Sequence, residues 1–195
     1  MFRKAKKTIE YLLFIIKFPH FRFGKLGKKS IINRARLIMG ASQIFIGDGV
    51  YIRSGARIEI IESADYTPQL RIGDRVHIEN DFQCECASKI IIGNSVLIAS
   101  RVFITDLDHG YDYLDKHILS QKIISKPVTI GDYTWIGQGA YILKGVSLGK
   151  NVIVGAGSVV TKSFPDQAIV AGVPAKLIGW RNKEVYQSLN VGELK

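Results

Sequence analysis

A chain of 195 residues with 47% hydrophobic side chains is long enough for one cored domain and too apolar for a disordered polymer. Its net charge of +10 points to an anionic partner only in one place, because residues 1–36 carry eleven Lys and Arg against the single acid Glu10, while sixteen acids balance sixteen bases in the rest. A neutral body without a recognised nucleic-acid motif argues against a nucleic-acid binder.

Residues 1–36 are expected to form a basic, partly apolar appendage. Within it the run Tyr11–Phe18 is strongly apolar and is followed by Pro19, which predicts a short helix ended by proline. The run is too short to cross a bilayer. It also contains Lys17 and is followed by no small-residue cleavage site, so it does not read as a secretory signal, and a cytoplasmic location is expected. Two roles fit residues 1–23. They could lie on the inner face of an anionic membrane, cations on headgroups and apolar run in the acyl boundary. They could equally cap the open end of a solenoid.

The body repeats. Ile46-Gly47-Asp48, Ile72-Gly73-Asp74, Ile92-Gly93-Asn94, Ile130-Gly131-Asp132 and Leu148-Gly149-Lys150 begin 26, 20, 38 and 18 residues apart, the last one bare period of 18 and the others that period plus an insertion of 8, 2 or 20. Inside each period the spacing is six, most cleanly at Ile130, Ile136, Ile142, Leu148, Val154 and Val160. A period of six suits neither a helix nor a simple strand. It predicts a triangular coil of three short strands and three turns, with the aliphatics pointing inward and stacking from coil to coil. The residue four places on (Val50, Ala56, Val76, Val96, Val102, Thr134, Ala140, Val146, Val152 or Ser158) is expected to fill a tight corner. Cys84 falls on an aliphatic position. With only Cys86 near it, a buried free thiol is expected and not a zinc site.

Three expectations follow for the order of the chain. The solenoid runs over 37–178, an excursion of about 105–127 leaves it, and 179–195 form a tail with a short helix. An excursion this long from a regular solenoid is usually functional. It opens with Thr105-Asp106-Leu107-Asp108-His109-Gly110-Tyr111, which puts His109 at its root beside the coil wall. Deprotonating a hydroxyl near neutral pH is work suited to imidazole. His77 is read at a turn of its coil, in a structural role.

These repeats resemble the bacterial hexapeptide-repeat transferases, over residues 44–178. The resemblance implies an all-β, left-handed parallel β-helix and a homotrimer with sites between subunits. The excursion is similar to the Thr-Asp-His-x-His-Gly-Tyr motif of the polysaccharide O-acetyltransferase branch. Its second histidine, the general base, falls on His109, and its first is replaced by Leu107. The implied donor is acetyl-CoA, with no metal required. Trp135, in a stretch similar to the family's Val-Trp-Ile-Gly, would border the reacting centre. Gln138, Ala156, Thr161 and Lys162 fall on donor-binding positions, and Lys176 stands where an arginine meets the nucleotide end. Glu85, Asp108, Tyr111 and His117 are candidates for contact with a carbohydrate acceptor, free or lipid-linked, and Glu85 or Asp108 could instead orient His109. The implied activity is acetylation of a sugar hydroxyl in a cell-surface polysaccharide precursor. An N-acetyltransferase of an amino sugar shares fold and donor. A γ-type carbonic anhydrase needs two close histidines in one loop, a spacing that His77, His109 and His117 lack.

Overall fold

The computed structural model describes residues 22–63 and 65–181. The run Tyr11–Phe18 and the expected tail helix lie outside the described residues. The rest is a left-handed parallel β-helix with three flat faces.

The first face stacks Lys25–Leu26, Ile44–Ile46, Gln69–Ile72, Lys89–Ile92, Val128–Ile130 and Ser147–Leu148. The second stacks Ile31–Ile32, Tyr51–Ile52, His77–Ile78, Leu97–Ile98, Trp135–Ile136, Ile153–Val154 and Ala168–Gly172, closed by the antiparallel strand Ala175–Trp180. The third stacks Leu37–Met39, Arg57–Ile60, Gln83–Cys86, Phe103–Thr105, Tyr141–Ile142 and Val159–Val160.

The register follows the sixfold spacing. Ile46, Ile72, Ile92, Ile130 and Leu148 form one interior column, Ile52, Ile78, Ile98, Ile136, Val154 and Val170 the second, and Ile58, Cys84, Ile104, Ile142 and Val160 the third. All are buried, as are the expected corner residues. Phe82 occupies one such corner fully buried, next in its column to the small Ala56, so a large side chain is offset by a small one. Burial pushes the Cys84 thiol well up. Burial and the neighbouring Asp106 carboxyl push Cys86 to about 12, and both thiols are free.

The solenoid begins earlier than the expected boundary at residue 37. Lys25–Leu26, Ile31–Ile32 and Leu37–Met39 form a complete coil stacked on the next, so the basic segment 1–36 is in part solenoid wall. Its corner holds Ser30 where the repeat has Val or Thr. The buried Ser30 hydroxyl donates to the Gly47 carbonyl (2.6 Å) and accepts from the Val50 N–H (3.0 Å), which satisfies the hydroxyl and hides the repeat. At the other end the closing strand reaches Trp180, two residues past the expected 178. His77 lies in a strand and not a turn, stacked on Tyr51 with ring centroids 5.3 Å apart and with Nε2 3.0 Å from Glu79 Oε1.

The Asp or Asn at positions 48, 74, 94 and 132, after Ile-Gly on the first face, has a structural reason. Asp74 Oδ1 accepts from the Asp48 N–H (2.8 Å), Asn94 Oδ1 from the Asp74 N–H (2.8 Å) and Asp132 Oδ1 from the Asn94 N–H (2.7 Å), a ladder along the corner between the first and second faces. The glycines before them approach too closely for a side chain: a Cβ on Gly131 would lie 2.5 Å from the Gly149 carbonyl carbon. Asp74→Ala removes one rung from an exposed corner. It is expected to cost about 1 kcal/mol, as loss of a helix cap does. The denaturant midpoint should fall without change in the cooperativity of unfolding.

Candidate functional site

The regular stacking leaves one place where chain departs from the coil for long. Between Thr105 and Lys126 it forms an antiparallel hairpin, Leu107–His109 against Ile123–Ser125, with His109 opposite Ile123. Its base is a buried polar knot. The Asp106 side chain is completely buried, and its carboxyl oxygens accept from the backbone N–H groups of Ala87 (2.7 Å), Ser88 (2.9 Å) and Lys89 (2.6 Å) and from the Ser88 hydroxyl (3.0 Å). The Ser125 hydroxyl lies 2.7 Å from both Ser88 Oγ and the Asp106 carbonyl, and the Lys126 N–H donates to that same carbonyl at 2.8 Å. Both ends of the excursion are thus tied to one residue. Asp106 was not singled out from the sequence, where Asp108 stands nearer His109. The available signal was an acid at the first position off the coil, where a turn exposes unpaired N–H groups.

His109 is the last residue of its strand and is exposed, while Gly110 behind it is buried, with its N–H bonded to the Lys122 carbonyl (2.9 Å). Asp108, between Leu107 and His109, forms an ion pair with Lys144 of the next coil. Glu85 lies in the coil beneath, paired in register with Thr105 at the root of the hairpin. Burial and the Glu59 carboxylate push the Glu85 carboxyl up, against the pull of Arg57 and His109. Beyond Gly110 the hairpin tip is exposed throughout residues 111–120 and more apolar than a solvated loop needs, with Tyr111, Tyr113, Leu114, Ile118 and Leu119 all exposed. His117 accepts from the Leu119 N–H through Nδ1 (3.2 Å), capping a single helical turn.

Where the third face turns toward the first lie the hairpin root with His109 at the end of its strand, the Asp108–Lys144 pair, and Glu85 in register with Thr105. Thr161 and Lys162 belong to this edge, since Ile142 pairs with Val160 and so aligns Lys144 with Lys162 in the coil above. The other sequence candidates lie elsewhere on the chain. Trp135 is half-exposed on the second face between Leu97 and Ile153. Gln138 and Ala156 sit at the corner between the second and third faces, where the Gly157 N–H donates to the Gln138 carbonyl (2.8 Å). Lys176 is exposed on the closing hairpin opposite Ala171. One chain therefore carries the base at one edge and most donor candidates at another. No group of three or more His, Cys, Asp and Glu suited to a metal ion occurs among the described residues.

Residues 127–162 match the model of the bacterial transferase hexapeptide (six repeats). A probable acetyltransferase of Mycobacterium tuberculosis is 34% identical over 164 residues, 79% of this chain and 53% of that protein. A putative lipopolysaccharide biosynthesis O-acetyl transferase of Escherichia coli is 36% identical over 126 residues, 61% of each chain. This chain thus spans less than two thirds of the length of either relative. Among solved structures, an N-acyltransferase from Bacillus cereus, crystallised as a variant with dTDP and coenzyme A, superposes with a TM-score of 0.73 at 21% identity, covering 89% of this chain and 92% of its own.

Proposed function

We propose, from the premise that this chain is a hexapeptide-repeat protein of the bacterial transferase type, that it moves the acetyl group of acetyl-CoA to a sugar hydroxyl in a surface-polysaccharide precursor. The observation that carries the reading is His109, exposed at the end of a hairpin whose base is locked by the buried Asp106. A base held on a rigid support loses little freedom when the acceptor arrives. His109 takes the hydroxyl proton as the oxygen attacks the thioester carbonyl carbon. The C–O bond forms, the tetrahedral intermediate collapses with cleavage of the C–S bond, and the imidazolium returns its proton to the departing thiolate. An acetyl ester and free coenzyme A result, with His109 regenerated.

The donor candidates fit the chemistry of coenzyme A. Lys162 and Lys176 are exposed cations for phosphate groups, Trp135 is half-exposed on the second face, and Gln138, Ala156 and Thr161 lie at corners of the coils. Because His109 and most of these residues occupy different edges, the reading requires a second copy that brings its Trp135, Gln138 and Lys176 edge to His109. A closed threefold ring does this with one repeated contact. The lipopolysaccharide name of the Escherichia coli relative supports a glycan acceptor, and Tyr111, exposed in the excursion, is the contact proposed for it.

The test is transfer of labelled acetyl from acetyl-CoA to a panel of hexosides, nucleotide sugars and lipid-linked sugars, read by mass spectrometry. A product acetyl group released by mild alkali supports the ester. An alkali-resistant product would move the function to the amide of an amino sugar, in keeping with the N-acyl transfer named for the Bacillus cereus structure. No transfer to any acceptor while coenzyme A is bound would overturn the enzyme reading.

Residues 1–23 are proposed to attach the protein peripherally to anionic membrane on the cytoplasmic side. A truncation beginning at Phe23 retains the first coil, since Phe23 packs on its core and the strands start at Lys25. It should lose binding to anionic liposomes, where each cation near the surface contributes roughly 1 kcal/mol, and should keep transfer to a soluble acceptor. Full-length protein that ignores such liposomes at low salt would instead assign the segment to capping, read as a lower melting temperature on truncation.

A further inference from the structure

We propose that Lys144 is a positioning residue for the base: its ammonium holds Asp108 to the coil above, and so fixes the place of His109, the next residue in the strand. The inference rests on the reading of His109 as the base.

The excursion needs such a tie. Past Asp106 it is a hairpin of two strands, Leu107–His109 and Ile123–Ser125, and a two-stranded hairpin alone is at best marginally stable in water. Its tip is exposed throughout residues 111–120. The buried knot fixes Asp106, Ser125 and Lys126, at the end of the strands away from His109. The hydrogen bonds between Thr105 Oγ1 and Leu107 are local to that same end. The Gly110 N–H is bonded to the Lys122 carbonyl, which belongs to the hairpin itself. Among the described residues, Asp108–Lys144 is the one ion pair or hydrogen bond that joins the strand Leu107–His109 to the coil above.

Lys144 is itself well anchored. It stands in the turn between Tyr141–Ile142 and Ser147–Leu148. Its neighbour Gly145 donates its N–H to the Lys126 carbonyl (3.0 Å), and a Cβ on Gly145 would lie 3.4 Å from the Lys126 side chain. The turn therefore rests on the return end of the excursion. The contacts close a ring from the Asp106 knot through Lys126, Gly145 and Lys144 back to Asp108. The strand is held at its root by Asp106 and at its middle by Lys144, one residue before His109. The return strand has a looser tie. Lys122 meets Asp65, in the insertion after Arg57–Ile60, at 3.5 Å with its side chain 85% exposed, whereas that of Lys144 is 24% exposed. Less water around Lys144 means less screening, so its pair is the firmer of the two.

A pair that is still partly exposed adds little to overall stability. Its effect on a base is larger, because a misplacement of about 1 Å can cost roughly a hundredfold in rate. A competing role for Lys144 is contact with a donor phosphate, since it aligns with Lys162 in the coil above. The pairing with Asp108 argues against this, because the charge is already balanced.

Two measurements on the full-length chain test the proposal, with Lys144→Met, Lys144→Arg, Asp108→Asn and the double variant Asp108→Asn/Lys144→Met. Lys144→Met keeps an apolar stem and removes the charge. The first measurement is amide exchange. Exchange at residues 107–110 should rise about tenfold in Lys144→Met relative to the second face, and return toward the native rate in Lys144→Arg. Unchanged exchange overturns the proposal, whether or not the protein acts on any acceptor. The second is turnover with acetyl-CoA and the same panel of hexosides, nucleotide sugars and lipid-linked sugars. Lys144→Met and Asp108→Asn should each lower kcat about tenfold at an unchanged KM for acetyl-CoA, with partial recovery in Lys144→Arg. The double variant should be no worse than either single one, because both remove the same contact. A raised KM for acetyl-CoA at the native kcat makes Lys144 a donor-phosphate contact, and additive losses in the double variant give the two residues separate roles. Either result overturns the proposal. Native protein that transfers to no acceptor while exchange still responds shows that the reading of His109 has failed, and the positioning role falls with it. Active native protein with unaltered exchange in Lys144→Met shows that the positioning role alone has failed.

Discussion

His109→Ala is expected to abolish acetyl transfer while leaving the fold intact. The side chain is exposed at the end of a hairpin strand, so its removal opens no cavity and strands no buried partner. Substitutions at such surface positions usually change stability by about 0.5 kcal/mol or less. The effect on rate is of another order. A positioned general base contributes typically on the order of 10²–10⁴, or about 3–5 kcal/mol of transition-state stabilisation. The expected outcome is an unchanged melting temperature, unchanged retention of coenzyme A and a turnover lower by that factor on the plateau of the native rate profile. The measurement is release of free coenzyme A with a hydroxyl acceptor present. Turnover within a factor of a few of the native enzyme would remove His109 from the mechanism.

Asp106→Ala should have the largest effect on stability. The carboxyl is completely buried and accepts three backbone N–H groups and one hydroxyl. Alanine would leave those donors without their acceptor in a buried place. Each unsatisfied buried donor costs roughly 1–3 kcal/mol, so the loss of an acceptor shared by four donors should cost about 3–5 kcal/mol in total. For a chain of this size that corresponds to a melting temperature lower by roughly 6–20 °C. Asp106→Asn should lose less, because one oxygen can still take the cluster at Ser88 and Lys89 while the amide nitrogen faces the Ala87 N–H. Since Asp106 ties both ends of the excursion, Asp106→Ala should also free the hairpin. Amide exchange at residues 107–110 and 122–126 should then rise more than exchange on the second face. A stability loss under about 1 kcal/mol, or protection lost evenly over the solenoid, would show that the excursion is held by something else.

The sixfold spacing of aliphatics determined the prism, its three columns and the register. It did so because a repeat with an inward residue every six positions buries those residues only when successive coils stack in phase. The root position of His109 was legible for a related reason: the insertion in the repeat interval marks where the chain must leave the coil. Other features depended on contacts between residues far apart in the chain. The first coil was hidden because Ser30 fills an aliphatic corner, acceptable only when Gly47 and Val50 are there to bond its hydroxyl. Asp106 and Asp108 look alike in sequence. The fold separates them, sending one inward to the N–H groups of Ala87–Lys89 and the other outward to Lys144, which comes from the coil above. Likewise Glu85, 20 residues before Thr105 in the chain, comes beside the root of the hairpin only because stacked coils pair the two. Local sequence governs what repeats, because each repeat meets the same neighbours. The site is made where the repeat is broken, and there the partners are set by which coil lies above and which below.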